Sequence, residues 1–392
     1  MKRIFITGFA LLGLFKMYAQ SAADSTSYKS QKIKVDEINL VSSYYKQDGN
    51  NSAVTGGLGS EKLTDISNTL DVKLVKYGAS GKKHTFDVEV GIDHYTSASS
   101  DKIDLSANSS ASSSDNRFYP SLSYSMENEE KGNTFGIGVS SSTEFDYQSF
   151  GGNVSYSKKT KDKNGEFTAK FQAFLDQVKI IKPVELRTGG EGYGTEPRNT
   201  FAGSLSYSQI INQNFQIMFL ADVITQQGYL SLPFHRVYFN DGSVHQENLP
   251  DTRLKIPLAI RASYFLGDNV IIRAYYRYYS DDWKLKSHTA NIEVPIKLSP
   301  FLSVSPFYRF YTQSAVKYFN VYGAHNAAEE FYTSNFDLSQ FDSNFLGMGM
   351  KFTPLKGVFG IKHFNTVEIR YGHYAKTTQM ASDIISINLK YK

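Results

Sequence analysis

The sequence predicts an all-β fold: a transmembrane, antiparallel, up-and-down β-barrel of about sixteen strands preceded by a signal peptide. Three observations carry this. Apolar and polar residues alternate with a period of two over segments of about ten residues, which gives a strand one apolar and one polar face. Aromatic residues make up 14% of the chain and are nearly all Tyr or Phe. The mean hydropathy is only −0.36, and no apolar run after residue 20 reaches the length of a membrane-spanning helix.

The chain begins MKRIFITGFALLGLFKMYAQ. Lys2 and Arg3 precede an apolar run that ends at Phe15, and Met17-Tyr18-Ala19 offers a cleavage site, so residues 1–19 read as a signal peptide. Residues 20–34 read as a periplasmic N-terminal tail and 35–392 as an outer-membrane barrel. The chain has no cysteine, which excludes disulfides and thiolate chemistry. Losing Lys2, Arg3 and Lys16 with the signal takes the formal charge of +4 to about +1, which argues against a nucleic-acid partner.

The clearest meander runs from Val270 to Gln313. Ile272, Ala274, Tyr276 and Tyr278 alternate with Arg273, Tyr275, Arg277 and Tyr279. After Ser280-Asp281-Asp282 the pattern resumes in Ala290, Ile292, Val294, Ile296 and Leu298, and after Ser299-Pro300 in Leu302, Val304, Tyr308 and Phe310. Ahead of these strands eleven to thirteen, ten more are expected near 37–45, 70–77, 85–95, 118–126, 135–141, 147–158, 167–178, 201–210, 215–226 and 253–264. Three follow, near 344–352, 366–375 and 384–391. Segments 49–60, 97–116, 182–199, 230–251 and 317–341 read as loops, and shorter turns such as Gly267-Asp268-Asn269 fall between them, as periplasmic turns do in barrels. The run Lys161-Asp162-Lys163-Asn164-Gly165 carries an Asn-Gly hairpin signal. A sheet in lipid must close, because an open edge leaves backbone groups unpaired. A large soluble sandwich or propeller is the alternative, and no blade-length repeat supports it.

The segments DHYTSASS at 93–100, YRYYSDDWKLKSHT at 276–289 and PFYRFYTQSAVKYF at 306–319 resemble a family of Gram-negative outer-membrane barrels known only as a conserved domain of unknown function. The resemblance extends over nearly the whole mature chain. It implies a barrel in the cell outer membrane and assigns no activity, so it carries over no catalytic residue. The chain ends Leu389-Lys390-Tyr391-Lys392, one residue beyond the terminal aromatic that barrel assembly usually reads.

Several clusters invite chemical readings. Ser287, His288 and Asn291 match the residue types of barrel phospholipases, but neighbours on a strand point to opposite faces, so Ser287 and His288 do not converge. The glycine-rich run 189–194 lacks the Lys-Ser/Thr ending of a phosphate loop. Asp101, Asp104 and Asp115 match no calcium-loop spacing. Trp283 reads as a rim aromatic at headgroup level, and Asp281 and Asp282 as turn formers within reach of Arg273 and Arg277. The sequence therefore predicts no enzyme, no cofactor and no metal site.

The polar faces supply the functional expectation. Asp87, Glu89 and Asp93 should line the lumen from strand three. Arg253, Lys255 and Arg261 should line it from strand ten, Arg273 and Arg277 from strand eleven, Arg309 from strand thirteen, and Glu368 and Arg370 from strand fifteen. In a sixteen-strand ring the acidic and basic walls stand about half a circumference apart, which would set a transverse field across a wet lumen. The expected role is a porin-like channel, or an envelope-complex component, for small polar solutes. Its partners would be outer-membrane lipid, a small polar solute and other envelope proteins. The alternatives are a plugged structural or assembly barrel, with these charges joined as salt bridges, and an outer-membrane enzyme.

Overall fold

The computed structural model describes residues 31–78, 81–98, 114–187 and 194–392. The expected signal peptide, most of the expected tail, Asp101 and Asp104 lie outside them, as does nearly all of the glycine-rich run. Within them the chain forms a closed antiparallel barrel of sixteen staves. In order they are β1 (Lys34–Gly49), β2 (Lys62–Tyr77), β3 (Lys83–Ala98), β4 (Ser114–Asn128), β5 (Asn133–Thr143), β6 (Tyr147–Lys159), β7 (Gly165–Ile180), β8 (Gly194–Asn212) and β9 (Phe215–Gly228). After a small hairpin, β10 (Arg236–Tyr238) and β11 (Val244–Gln246), come β12 (Thr252–Leu266) and β13 (Val270–Asp281). A stave interrupted at Val294-Pro295 follows as β14 (Lys286–Glu293) and β15 (Ile296–Lys297). The last four are β16 (Leu302–Gln313), β17 (Phe341–Phe352), β18 (Phe364–Lys376) and β19 (Met380–Tyr391). Each stave pairs with its neighbours in sequence, and β1 pairs with β19 from Ile38↔Tyr391 to Gly49↔Met380 to close the ring.

The alternation turns each strand's apolar face outward. Phe150 is 66% exposed, Val139 57%, Leu175 54% and Met348 54%, the inverse of a soluble protein, where such residues are buried. The inward faces carry Ser, Thr, Asn, Gly and charged residues. Close packing inside requires glycine at two positions. A Cβ on Gly91 would lie 2.0 Å from the Tyr119 ring, and one on Gly372 would lie 2.5 Å from the Phe345 ring.

Several staves run further than their apolar alternation. β2 starts at Lys62 and β8 at Gly194, so residues 62–69 and 194–199 are strand, where the sequence reads as loop or gives no pattern. At the loop end the connections differ widely in size: 144–146, 282–285 and 377–379 are short, whereas 50–61, 229–251 and 314–340 are long. At the other end, most turns are tight, except 353–363, where Leu355 and Phe359 are 88% and 90% exposed.

Candidate functional site

Most of the fully buried side chains of the described residues lie outside the wall strands, in the long connections at the loop end. Segment 229–251 folds into the β10–β11 hairpin and packs against segment 314–340. Backbone hydrogen bonds join the two: Asn240 N–H to the His325 carbonyl (2.9 Å), Tyr332 N–H to Asn248 (2.7 Å) and Gly323 N–H to Tyr238 (3.1 Å). Glu247 accepts from the Leu232 N–H (2.6 Å) and from the Thr333 hydroxyl (2.5 Å). Both ring nitrogens of the fully buried His325 face acceptors, Glu329 Oε2 at 2.6 Å and the Thr333 carbonyl at 3.0 Å. Burial pushes Glu329 up, but its bonds from His325 and the Asn326 N–H outweigh that and hold it below the usual carboxylate range.

Arg236 ties this layer to two further connections. It grips Glu185 in a bidentate pair (Nε to Oε1 2.5 Å, Nη2 to Oε2 2.9 Å), and its Nη1 donates to the Val54 carbonyl at 2.8 Å. The guanidinium also lies 4.9 Å from the Phe234 ring centre. Leu249, Trp283, Leu285 and Val316 form an apolar core under the layer. Trp283 is therefore no headgroup-level rim residue: its Nε1–H donates to the Thr252 carbonyl (2.9 Å), and Arg253 stacks 4.2 Å from its ring centre. Asp281 is likewise more than a turn former. Its buried carboxylate holds Arg253 (Nε 2.9 Å) and accepts from the Tyr279 hydroxyl (2.8 Å) and the Leu285 N–H (3.0 Å). The partner is thus Arg253 rather than Arg273 or Arg277.

Beneath this layer is an interior chamber of about 670 Å³. It is built from β9, β12, β13, β14 and β16, whose register sets their inward residues side by side. One row reads Arg261, Tyr275, Asn291, Arg309; the next toward the loops reads Ala259, Arg277, Thr289, Tyr311. Arg273 pairs in register with Ser263 on one side and Glu293 on the other. Glu293 turns away from Arg273 to Arg370 on β18 (3.1 Å), which also holds Glu368 (3.1 Å). Two guanidiniums stack on an aromatic pair, Arg370 5.2 Å from the Phe307 ring centre and Arg309 5.4 Å from that of Phe345.

Among the described residues, Arg261, Arg273, Arg277 and Arg309 appear in no ion pair within 4.0 Å. Arg261 lies 5.8 Å from the Tyr275 ring centre. The Arg277 Nε and Thr289 Oγ1 are buried without a hydrogen-bond partner. These two residues sit directly opposite each other on β13 and β14.

The acidic side stands eight staves round the ring from β13. Asp87, Glu89 and Asp93 alternate with Val88 and Ile92, which face outward. Asp87 lies 3.7 Å from Lys73 on the adjacent strand. Asp93 accepts from Ser67 (2.6 Å) and from the Tyr119 hydroxyl (2.9 Å). These partners sit on the same wall, so Asp87 and Asp93 are satisfied locally. Lys255 lies one turn of alternation from Arg253 on β12, close to the Asp281 pair.

The other sequence candidates do not assemble. Ser287 is buried and inward, whereas His288 faces outward, 2.7 Å from the Tyr276 hydroxyl. Asn291 lines the chamber. Asp115 meets Glu144 and Asp146, with carboxylate oxygens within 4.8 Å of one another. Tyr95 donates to Glu144 (2.9 Å), and the Phe145 N–H donates to Asp115 (3.3 Å). Burial, then the charges of Asp146 and Asp115, hold Glu144 above the usual carboxylate range despite the opposing pull of Tyr95 and Arg117.

Solved structures with a similar course include a BenF-like porin from Pseudomonas fluorescens Pf-5 (10% identity, TM-score 0.43, covering 91% of this chain and 98% of that one). They include the outer membrane protein opdK from Pseudomonas aeruginosa (8%, 0.41, 91% and 97%) and a bacterial polysaccharide outer membrane secretin (9%, 0.46, 94% and 99%). Similarities of this size say nothing about a solute or an activity. No curated protein matches the chain. A family model does match, over residues 1–382, and the chain belongs to that family, described as a protein of unknown function (DUF3570).

Proposed function

We propose that this protein is a porin-like barrel of the outer membrane that takes small polar solutes into a water-filled interior. One observation carries the reading: large apolar side chains cover the outside of a closed sheet, and polar and charged ones line a chamber within it. In a bilayer that inversion is favourable. Closure satisfies the backbone, and the apolar band meets acyl chains. In water it would expose an apolar belt far beyond what a soluble monomer tolerates. The buried loop layer gives the outer mouth a fixed narrowing, which selects for small solutes.

A second reading, a barrel whose loop layer closes it and whose role is structural, is favoured by the burial of Ser287, Ser343 and Ser382 on the inward wall at the loop end. Swelling of proteoliposomes separates the two. The channel reading expects faster swelling in small polar osmolytes than in raffinose-sized ones. Protein that is folded and inserted, shown by a gel mobility that changes on boiling, yet gives no swelling in any osmolyte, rejects it. Folded protein recovered in the soluble periplasmic fraction rejects the membrane reading altogether.

A further inference from the structure

We infer that the chamber contains a binding site for a small oxyanion, a solute bearing carboxylate or phosphate groups, formed by Arg261, Arg273, Arg277 and Arg309 with Thr289 and Asn291. This names the solute class for the proposed channel and rests on that reading for its physiological use, though not for the binding itself.

Charge comes first. Four guanidiniums line one chamber, and none has an ion-pair partner among the described residues. The one carboxylate in the lining, Glu293, is held by Arg370. Elsewhere in this barrel the pattern is different: Arg253, Arg236 and Arg370 each hold a carboxylate. Like charges gathered in a recess repel unless a counter-ion joins them, and a cleft lined by one sign of charge concentrates the opposite ion.

Hydrogen bonding comes second. The Arg277 Nε–H and the Thr289 hydroxyl are buried donors with no acceptor among the described residues, directly opposite on paired strands. Thr289 is only 6% exposed. Buried polar groups are nearly always satisfied, so two adjacent orphans on a chamber wall mark the place of an acceptor. A water could accept from both. Arg261 and Arg309 in the next row, with the Asn291 amide between them, make an oxyanion the better fit, since guanidinium forks match the geometry of carboxylate and phosphate.

Position comes third. The wall strands hold the arginines in fixed register, and Tyr275 and Phe345 flank Arg261 and Arg309 with their ring faces. The long side chains are thus partly ordered before a ligand arrives, which reduces the entropy lost on binding. Arg273 is exposed at the lower edge of the site, furthest from the loop layer.

The test is equilibrium binding to detergent-folded full-length protein, with inorganic phosphate and succinate as separate probes and glucose as a neutral control. Saturable binding of at least one dianion is expected, weakened at least tenfold in Arg277→Gln/Arg309→Gln. Glucose should not bind. Phosphate alone binding assigns a phosphate-type solute, and succinate alone a carboxylate. No saturable binding of either, or binding unchanged in the double variant, overturns the site. Gel mobility that changes on boiling checks that the variant folds, and Arg273→Gln, at the solvent-exposed edge, is a milder second variant that should weaken binding less. Swelling without binding leaves the channel and removes the site. Binding without swelling in any osmolyte leaves the site and removes the channel.

Discussion

Replacing Glu185 by Ala should open the loop layer more than replacing its partner Arg236 by Met, because the two ends of the ion pair are buried unequally. The Arg236 side chain is wholly buried, whereas that of Glu185 keeps 30% exposure. Without Glu185 the guanidinium retains the Val54 carbonyl and the Phe234 ring but loses its counter-charge. Breaking a buried pair from one side costs about 3–5 kcal/mol. The partial exposure of Glu185 places this pair near the lower figure. About 3 kcal/mol corresponds to roughly a hundredfold change in an opening equilibrium. Arg236→Met keeps most of the volume and leaves Glu185 able to reach water. The double variant Glu185→Ala/Arg236→Met, with no stranded charge, should be less damaged than Glu185→Ala alone.

Amide hydrogen exchange on detergent-folded protein reads this directly. Peptides covering 236–246 and 318–333 should exchange roughly a hundredfold faster in Glu185→Ala, while β13 keeps its protection. Three results would refute the reasoning: no acceleration, equal acceleration in β13, or a double variant as damaged as Glu185→Ala.

Three further outcomes are expected. Leu258→Arg, on the outward face of β12, should cost about 2–4 kcal/mol at mid-bilayer; Ala259→Arg, one residue on and facing inward, should cost clearly less in urea unfolding from vesicles, and equal costs would mean a wrong register. Gly372→Ala places a methyl 2.5 Å from the Phe345 ring, so the temperature of the gel-mobility shift should fall, by an amount equivalent to about 1–3 kcal/mol, and recover in part with Phe345→Leu. Glu144 has a folded pKa raised above its unfolded value, so its ionised form opposes folding at neutral pH, and this opposition fades as pH falls through the raised value toward the ordinary carboxylate range. Melting at pH 7 and pH 5 should therefore show Glu144→Gln more stabilised relative to wild type at pH 7; an advantage that grows at pH 5 would reverse the assigned sign.

The wall was legible because its physics is local. Period-two alternation in β12, with Leu254, Ile256 and Leu258 outward, depends only on a strand's geometry and an apolar surrounding. Strand ends were less legible for the same reason. In β2 the first half, Lys62 to Asn68, is mostly polar on both faces apart from Leu63 and Ile66, yet it pairs in unbroken register with β3. The Asn-Gly signal marked a real hairpin, but the left-handed residue in it is Lys163. The loop layer left no local trace. Thr333 bonds Glu247 and Arg236 bonds Glu185 across long stretches of chain, and neither pair has a spacing or motif to announce it. Trp283 reads as a rim aromatic only until segment 314–340 is seen to fold over it, with Tyr318 at 5.9 Å between ring centres. The sequence offers charged residues on the polar strand faces but does not show their partners. That Asp93 serves Tyr119 and Glu293 serves Arg370, leaving the other arginines together, is fixed by strand register.

Planar-bilayer recording on purified, folded protein tests the central claim most directly. A membrane-spanning barrel with a wet, arginine-lined chamber should give discrete conductance steps, and in a potassium chloride gradient the reversal potential should favour chloride over potassium. The Glu185→Ala variant should conduct at least as well. Inserted, folded protein that passes no current in either form, or that prefers potassium, would contradict the account.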